Sequence, residues 1–302
     1  MKTIMVYGAD LPLGRRLLYY LENYAIEANR PLTVVAGTQT QDMESIQKEL
    51  WDWYTTQNGT GRPDLVINAH VVSDMNRLER DPEWAFAMNT ISASNIALAA
   101  RSAGIPMVQI STDHVFRGTN GPYNADDQPH PINMFGVSMY YAEQAVAAYY
   151  PVQWRGDKLP RGASIIRLSN LYGGELETVP QMALAFPEQA TTVENDLTFS
   201  PTFIAEAAFL IARNLVQSPQ TLARQYIHLA ASAEPISWAD LLTPTGTKLL
   251  VTEYDPISTD GVRIGKSLGL KPTKGWALPS DYQKGVKEFM LEMQQGSWVR
   301  YW

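Results

Sequence analysis

The sequence predicts an α/β protein with a doubly wound parallel sheet and a smaller α/β lobe in its C-terminal part. In the first half of the chain, short apolar runs alternate with longer amphipathic segments, which is the pattern of βαβ units. Five successive strand and helix units agree with this pattern. The chain has 302 residues, of which 45% are hydrophobic, so it can bury the core that such a sheet requires.

The predicted strands and helices follow one another in a regular order. Each predicted strand is a short apolar run, and these runs cover residues 3–7, 32–36, 65–69, 106–111 and 164–168. Each predicted helix is a longer amphipathic segment, and these segments cover residues 13–28, 42–57, 82–103 and 133–150. Strands that are linked by helices in this way lie parallel in one sheet.

Beyond residue 171, prolines break the pattern into shorter elements. We expect a helix at 203–216 and a strand at 225–229, and both of them should return to the sheet. A short helix at 237–241 and a terminal helix at 281–294 should follow. The chain therefore divides most economically into a Rossmann-like dinucleotide-binding domain over residues 1–170 and a smaller substrate-binding lobe over residues 171–302.

The composition argues against several classes of protein. A net charge of −7 disfavours a nucleic-acid partner, which would need a basic face. The absence of cysteine removes disulfides and thiolate zinc sites, and the spacing of the four histidines predicts no metal site. No apolar run approaches the roughly 18 residues of a membrane span, and the first residues do not resemble a secretory signal. We therefore expect a cytoplasmic protein.

The turn between the first strand and the first helix reads Gly-Ala-Asp-Leu-Pro-Leu-Gly, from Gly8 to Gly14. In dinucleotide-binding folds, glycines in this turn let the pyrophosphate approach the backbone at the helix N-terminus. Gly8 and Gly14 keep the outer glycines, whereas Leu11 replaces the middle one with a side chain that takes up space for the phosphate. The turn fits a remnant cofactor site and fits an ordinary strand-to-helix turn equally well.

The end of the second strand lacks the other cofactor signature. An acidic residue there reads the ribose of NAD, and an arginine accommodates that of NADP, but the sequence is Gly37-Thr38-Gln39-Thr40. Hydroxyl and amide groups can still bond a ribose. This departure therefore argues against a dinucleotide cofactor without excluding one.

A specific resemblance to a known family lies between residues 63 and 145. The segments that carry it include Asn68-Ala69, Asp81-Pro82, Asn89, Ser111-Thr112-Asp113-His114-Val115-Phe116, Pro122-Tyr123 and Phe135-Gly136-Val137-Ser138. In these segments the chain resembles the dTDP-4-dehydrorhamnose reductase family of extended short-chain dehydrogenases. It is also similar to a non-catalytic relative of that family, the regulatory beta subunit of methionine adenosyltransferase.

The resemblance implies a mechanism that can be compared with the residues present. A reductase of this family passes a hydride from NADPH to the carbonyl of a nucleotide-linked ketosugar. A tyrosine donates the proton, a lysine four residues later lowers the pKa of that tyrosine, and a serine or threonine orients the carbonyl. The last role falls on Thr112, but the tyrosine position is Phe135 and the lysine position is Met139.

Neither replacement can take part in the proton transfer. Phe135 has no ionisable proton, and Met139 has no charge with which to shift the pKa of a neighbour or to bond a ribose. A spacing of four residues places both side chains on one face of a helix. Tyr140 and Tyr141 are turned toward other faces, so we expect neither of them to replace the missing tyrosine.

The resemblance also assigns further residues to the site. Cofactor binding would involve Gly8, Leu11, Gly14, Asn68, Ala69, Asn89 and Ser111. The substrate pocket would involve His70, His114, Val115, Phe116 and Arg167. Of these, His70 could act as an acid or base, although a histidine at the end of a strand is more often a hydrogen-bonded rim residue.

Three functions stay open on the sequence alone. The preferred one is a catalytically degenerate homologue of the reductase that acts, in an oligomer, as a binding or regulatory subunit of a methionine-adenosyltransferase-like or sugar-modifying partner. The second is an enzyme of changed chemistry on a nucleotide sugar that uses Thr112, His70 or His114. The third is a reductase that still uses NADP, and the departures in the first turn and at the end of the second strand argue against that cofactor.

Overall fold

The structure is a computed structural model that describes residues 3–27, 29, 31–38, 42–56, 62–150, 162–173, 189–218, 226–231, 234–255, 261–278 and 282–295. The strands are β1 (Thr3–Tyr7), β2 (Thr33–Ala36), β3 (Leu65–Asn68), β4 (Met107–Thr112), β5 (Ala163–Leu168), β6 (Leu171–Tyr172), β7 (Thr191–Glu194), β8 (Thr202–Phe203), β9 (Tyr226–Ala231), β10 (Leu249–Thr252) and β11 (Ala277–Leu278). The helices are α1 (Pro12–Glu27), α2 (Met43–Thr56), α3 (Met75–Arg80), α4 (Pro82–Ala85), α5 (Ser92–Ser102), α6 (Met134–Tyr149), α7 (Ile204–Gln217), α8 (Trp238–Leu242) and α9 (Tyr282–Gln295).

Seven strands form one sheet in the order β11, β9, β5, β4, β3, β1, β2. Every neighbouring pair in this sheet is parallel. Met5 on β1 lies between Val35 on β2 and Val66 on β3, so the two halves of the sheet diverge from β1. The predicted doubly wound, Rossmann-like fold is confirmed.

The two faces of the sheet bury alternate residues of each strand. Ile4 and Val6 pack into the core that the sheet shares with α1 and α7. Met5 and Tyr7 pack into the opposite core, which the sheet shares with α2, α5 and α6. Both cores are closed by helices, and this is why the strands read as continuous apolar runs in the sequence.

The region between β3 and β4 differs from the prediction of one regular helix at 82–103. The helical backbone begins with α4, widens into a π-helical turn at Phe86–Ile91 and ends as α5. It is preceded by α3, which was not predicted. Asp74 caps α3 by accepting a hydrogen bond from the Arg77 N–H at 3.0 Å.

The C-terminal half contributes to the main sheet and also forms small paired elements of its own. Helix α7 packs against α1, and β9 pairs with β5. Strands β7 and β10 pair with each other, as do β6 and β8. The division of the chain into two units near residue 170 stays a prediction. None of the helices in the described ranges has the length and apolar character that crossing a membrane needs.

A buried ion pair fastens α6 to the centre of the sheet. The Arg167 guanidinium on β5 donates to both carboxylate oxygens of Glu143 on α6, at 2.8 and 2.7 Å, and both side chains are almost completely buried. The Ser111 hydroxyl on β4 donates to the same carboxylate at 2.6 Å. Two charges removed from water in this way depend on each other, because either one alone would stay buried without a counter-charge.

We expect Arg167→Met to lower the free energy of unfolding by about 3–5 kcal/mol, because it leaves the Glu143 carboxylate buried and uncompensated. The double variant Glu143→Leu with Arg167→Met should be markedly more stable than the single variant, since it removes both charges. Urea denaturation followed by circular dichroism measures both values.

Lys48→Met is the matched control, because it breaks an exposed ion pair with Asp52 (2.5 Å) on α2. It should change the free energy of unfolding by less than about 1 kcal/mol. Equal losses for Arg167→Met and Lys48→Met would contradict the role assigned to the buried pair.

Candidate functional site

The carboxyl ends of the central strands surround a cleft of about 270 Å³. This volume lies just below the range of roughly 300–1,000 Å³ that is usual for small-molecule pockets. Six residues that the sequence assigned to the site line it together: Leu11, Ala69, Ser111, Thr112, His114 and Phe135. Most of the other lining side chains are aliphatic, so the cleft is largely apolar.

Gly8 and Gly14 have reasons to be glycine that need no cofactor. Gly8 has a φ of 76°, which favours glycine, and a side chain there would collide with the backbone of His70. A side chain at Gly14 would collide with the carbonyl oxygen of Gly8. The turn is closed by the Leu11 N–H, which donates to the Gly8 carbonyl at 3.0 Å. Close packing of strand, turn and helix therefore accounts for both glycines.

The first turn presents fewer groups for a phosphate than the fold normally offers. Helix α1 begins at Pro12, which has no N–H, so one of the free donors at the helix N-terminus is missing. The side chains of Leu11 and Pro12 both line the cleft. A pyrophosphate binds at such a turn through backbone N–H groups, and the residues of this turn do not fit one. Pro12 lies just outside the predicted helix, which began at Leu13.

At the end of β2, the polar groups of Thr38 are hydrogen-bonded within the protein. The Thr38 N–H and hydroxyl both donate to the Glu49 carboxylate, at 2.9 and 3.1 Å. The Tyr7 hydroxyl donates to the same carboxylate at 2.9 Å, and burial raises the pKa of Tyr7. Gln39 and Thr40 lie outside the described residues. The Thr38 hydroxyl, which could have bonded a ribose, is therefore already paired.

Three polar residues that were assigned to cofactor binding are buried and hydrogen-bonded within the protein. Asn68 donates to the Gln109 side chain at 2.9 Å and accepts from the His70 N–H at 3.1 Å. Asn89, in the π-helical turn, accepts from the N–H of Val72 and donates to its carbonyl. Ser111 donates to the Glu143 carboxylate. These contacts hold the loop after β3 in place, and a role in cofactor binding stays a prediction.

Thr112 begins a buried polar cluster beside the cleft. Its hydroxyl donates to Asp113 at 3.3 Å and accepts from the His114 N–H at 3.2 Å. The hydroxyl of Ser169, the residue directly after β5, donates to the other carboxylate oxygen of Asp113. Burial raises the pKa of Asp113 and lowers that of His114. The His114 Nδ1 lies 3.3 Å from the Asn133 side-chain nitrogen, which fixes the ring.

Phe135 and Met139 lie on the face of α6 that is turned toward the sheet. Phe135 lines the cleft and is 6% exposed, with its ring centre 5.4 Å from that of His114. Met139 is fully buried in an apolar cluster that also contains Phe135. Tyr140 lines a different cavity and Tyr141 is half exposed, so neither hydroxyl reaches the place of the missing tyrosine.

Three residues that were assigned to the substrate pocket lie away from the cleft. Val115 and Phe116 are buried, and the Phe116 ring stacks on Tyr123 with 4.3 Å between centres. Arg167 lies 5.0 Å from the Phe116 ring and pairs with Glu143. It reaches a second cavity, of about 570 Å³, that the loop at 125–129 shares with α6 and β9. The structure thus places Val115 and Phe116 in the core and Arg167 at the second cavity, and their part in substrate binding stays a prediction.

His70 and Asp10 carry the unpaired polar atoms of this region. Among the described residues, Asp10 Oδ1 and His70 Nδ1 are the buried side-chain atoms without a hydrogen-bond partner. Burial lowers the pKa of His70, although the Asp10 charge and a hydrogen bond to the Met88 carbonyl act in the other direction. Asp10 was not identified as a site residue, because nothing in the sequence shows that the first turn touches the loop after β3. In the described ranges no group of three His, Cys, Asp or Glu side chains could hold a metal ion.

The chain is similar to dTDP-4-dehydrorhamnose reductases and to the beta subunit of methionine adenosyltransferase 2. It is 29% identical to a dTDP-4-dehydrorhamnose reductase of Sinorhizobium fredii over 67% of the chain and 65% of that protein. It is 25% identical to methionine adenosyltransferase 2 subunit beta of Xenopus laevis over 49% of the chain and 43% of that protein. The match thus spans less than two thirds of either relative.

The fold agrees with a solved structure over nearly the whole chain. A dTDP-4-dehydrorhamnose reductase of Bacillus anthracis, solved in complex with NADP, superposes with a TM-score of 0.77 at 23% identity, over 97% of this chain and 100% of that one. Residues 1–260 match the family described as the RmlD substrate binding domain. This chain therefore belongs to the RmlD substrate binding domain family.

Proposed function

We propose that this protein uses its cleft to bind a ligand and acts as a binding or regulatory subunit, and that it does not reduce a ketosugar. The observation that carries this proposal is the pair Phe135 and Met139. The two positions at which the related reductases are expected to hold a proton donor and its activating cation are occupied by buried apolar side chains. General acid catalysis by these two residues is chemically impossible.

The rest of the cleft offers no clear substitute for the proton donor. Among the described residues that line it, His114 is the one ionisable side chain. Burial lowers the pKa of His114, so its ring is neutral at pH 7 and holds no extra proton to give. The Thr112 hydroxyl already donates to Asp113, which also reduces its availability to a substrate carbonyl.

The first turn also argues against binding of a dinucleotide cofactor. Leu11 lines the cleft at the turn, Pro12 removes a backbone donor, and the acidic side chain of Asp10, whose Oδ1 is buried without a partner, precedes the helix N-terminus. Each feature makes the turn a poorer site for a dianionic pyrophosphate. The relative named methionine adenosyltransferase 2 subunit beta supports a role as one subunit of a complex. A catalytic protein is the class of partner that we propose.

A second function has a specific observation in its favour. The polar cluster of Thr112, Asp113, His114 and Ser169 persists at the edge of the cleft. An enzyme of changed chemistry on a nucleotide sugar would use this cluster. Its activity would be lost in His114→Ala, and turnover that survives this substitution would remove the cluster from the account.

The purified protein should not oxidise NADPH in the presence of dTDP-4-dehydrorhamnose, because Phe135 and Met139 cannot protonate the product alkoxide as the expected tyrosine and lysine would. The measurement is the loss of NADPH absorbance over time, with a relative such as the Sinorhizobium reductase as the positive control. Clear turnover by the wild-type protein would contradict the proposal.

The double variant Phe135→Tyr with Met139→Lys should also remain inactive in this assay, although it restores both catalytic side chains. Leu11 and Pro12 still occupy the first turn in this variant, so the cofactor lacks its phosphate site. A quadruple variant that adds Leu11→Gly and Pro12→Ala is the matched comparison. Circular dichroism shows whether each variant folds. Activity in the folded double variant would show that the first turn is no obstacle to the cofactor.

A further inference from the structure

The second cavity, of about 570 Å³, differs in chemistry from the cleft. It lies between α6, β9 and the loop at 125–129, and among the described residues none lines both the cavity and the cleft. Its volume falls within the range that is usual for small-molecule pockets. Its lining is mainly polar, whereas that of the cleft is largely apolar. The two sites therefore suit different ligands.

Three charged side chains line the second cavity: Asp126, Asp127 and Arg167. The Arg167 charge is compensated, because its guanidinium donates to both carboxylate oxygens of the buried Glu143. His228 borders Arg167, with 3.4 Å between Nε2 and Nη1. Burial and the Arg167 charge lower the pKa of His228 to about 3, so its ring is neutral at pH 7. The two aspartates thus give the cavity a net negative charge.

Neither aspartate has a cationic partner among the described residues. Asp127 accepts hydrogen bonds from the backbone and side-chain nitrogens of Asn124, at 2.7 and 3.3 Å, and these neutral donors leave its charge uncompensated. Asp126 lies exposed at the cavity. An anion such as a phosphate is repelled by both carboxylates, whereas a cation is attracted by both. The charges therefore select a cation over an anion.

The uncharged part of the lining also suits a cation. Tyr140 and Tyr226 line the cavity, and the Arg167 Cζ already lies 4.6 Å from the centre of the Tyr226 ring. This distance is within the roughly 6 Å at which an aromatic ring attracts a cation. Tyr140 gives the cavity a second ring, and the side chains of Gln128 and Gln144 add carbonyl acceptors for N–H donors.

We propose that the second cavity binds the guanidinium or ammonium group of an organic cation, which a partner protein presents as an arginine or lysine side chain. A row of rings continues from the cavity onto the surface and supports this source. The Tyr140 and Tyr141 ring centres are 5.6 Å apart, those of Tyr141 and Phe86 are 5.7 Å apart, and Tyr141 is 50% exposed. Exposed aromatic rings of this kind are typical of protein interfaces.

N-acetyl-arginine amide and N-acetyl-citrulline amide form a matched pair of probes, because they differ only in having a charged guanidinium or an uncharged urea. Isothermal titration of the full-length protein should show that the arginine compound binds about tenfold or more tightly, as expected for hydrogen bonds to charged acceptors. The difference should shrink when sodium chloride is raised from about 0.1 to about 1 M, because salt screens exposed charges.

The double variant Asp126→Asn with Asp127→Asn keeps the shape of both side chains and removes both charges, so the two probes should bind to it equally. Tyr140→Leu removes one ring and should weaken the binding of the arginine compound about two- to fivefold. Asp52→Asn is the control, because it removes an acidic charge on α2 that is paired with Lys48. It should leave the binding of both probes unchanged. Circular dichroism shows whether each variant folds.

Equal binding of the two probes to the wild-type protein would overturn the inference. An absence of binding in the millimolar range would overturn it as well, and so would an undiminished preference for the arginine compound in the folded double variant. These results are separate from the test of the proposed function. NADPH oxidation by the wild-type protein would refute that function and leave the preference of the second cavity intact.

Agmatine and an acetylated leucine-arginine-leucine amide test the source of the cation, because agmatine is a free amine and the tripeptide also has apolar side chains. If a partner protein supplies the cation, the tripeptide binds more tightly than agmatine, and Tyr141→Ser lowers the affinity of the tripeptide alone. If agmatine binds as tightly as the tripeptide and Tyr141→Ser changes neither affinity, the assignment to a partner protein is overturned and the cavity binds a free amine.

Discussion

The ion pair between Glu143 and Arg167 fixes the geometry of the site. It ties the middle of α6 to β5, and the Ser111 hydroxyl extends the contact to β4. Met139 and Phe135 lie four and eight residues before Glu143, so all three share one face of the helix. Because Glu143 is held against the sheet, Met139 must face the apolar cluster that it shares with Phe135, and Phe135 must also face the cleft. The place where a proton donor would stand is thus set by this buried contact.

The scaffold keeps features that are usually read as signs of a cofactor, but it keeps them for packing. Gly8 and Gly14 are required by the close approach of the turn, the helix and the loop after β3. Asn68 and Asn89 are buried and bonded inside the protein. Leu11 and Pro12, in contrast, have side chains that line the cleft at the first turn. Packing constraints of this kind act on every folded copy of the chain, whichever ligand the fold holds.

Most of the fold could be predicted from the sequence, because it depends on local patterns. Buried parallel strands are continuous apolar runs, and helices between them repeat their apolar residues at helical spacing. Helix α3 and the strands β6, β7, β8, β10 and β11 were missed, since each spans only two to six residues and shows no clear period in the sequence. The π-helical turn at Phe86–Ile91 was missed because nothing in its composition separates it from an α-helix.

The site was predictable where it depends on chain order and unpredictable where it depends on contacts between segments. The positions of Thr112, Phe135 and Met139 follow from motif spacing. The pairing of Arg167 with Glu143 does not, because the register of β5 under α6 decides whether its side chain reaches the cleft or the core. Asp10 and His70 come together only when the first turn packs on the loop after β3. Pro12 was overlooked since the predicted helix began one residue late.

We propose that this member of the family makes neither the proton transfer nor the contacts with the dinucleotide phosphates. Calorimetric titration of NADPH into the wild-type protein tests this claim most directly, because it requires no substrate and no assumption about the partner. The account predicts no saturable binding in the millimolar range. Saturable binding at micromolar concentrations would contradict it, since the first turn would then hold a pyrophosphate despite Leu11, Pro12 and Asp10.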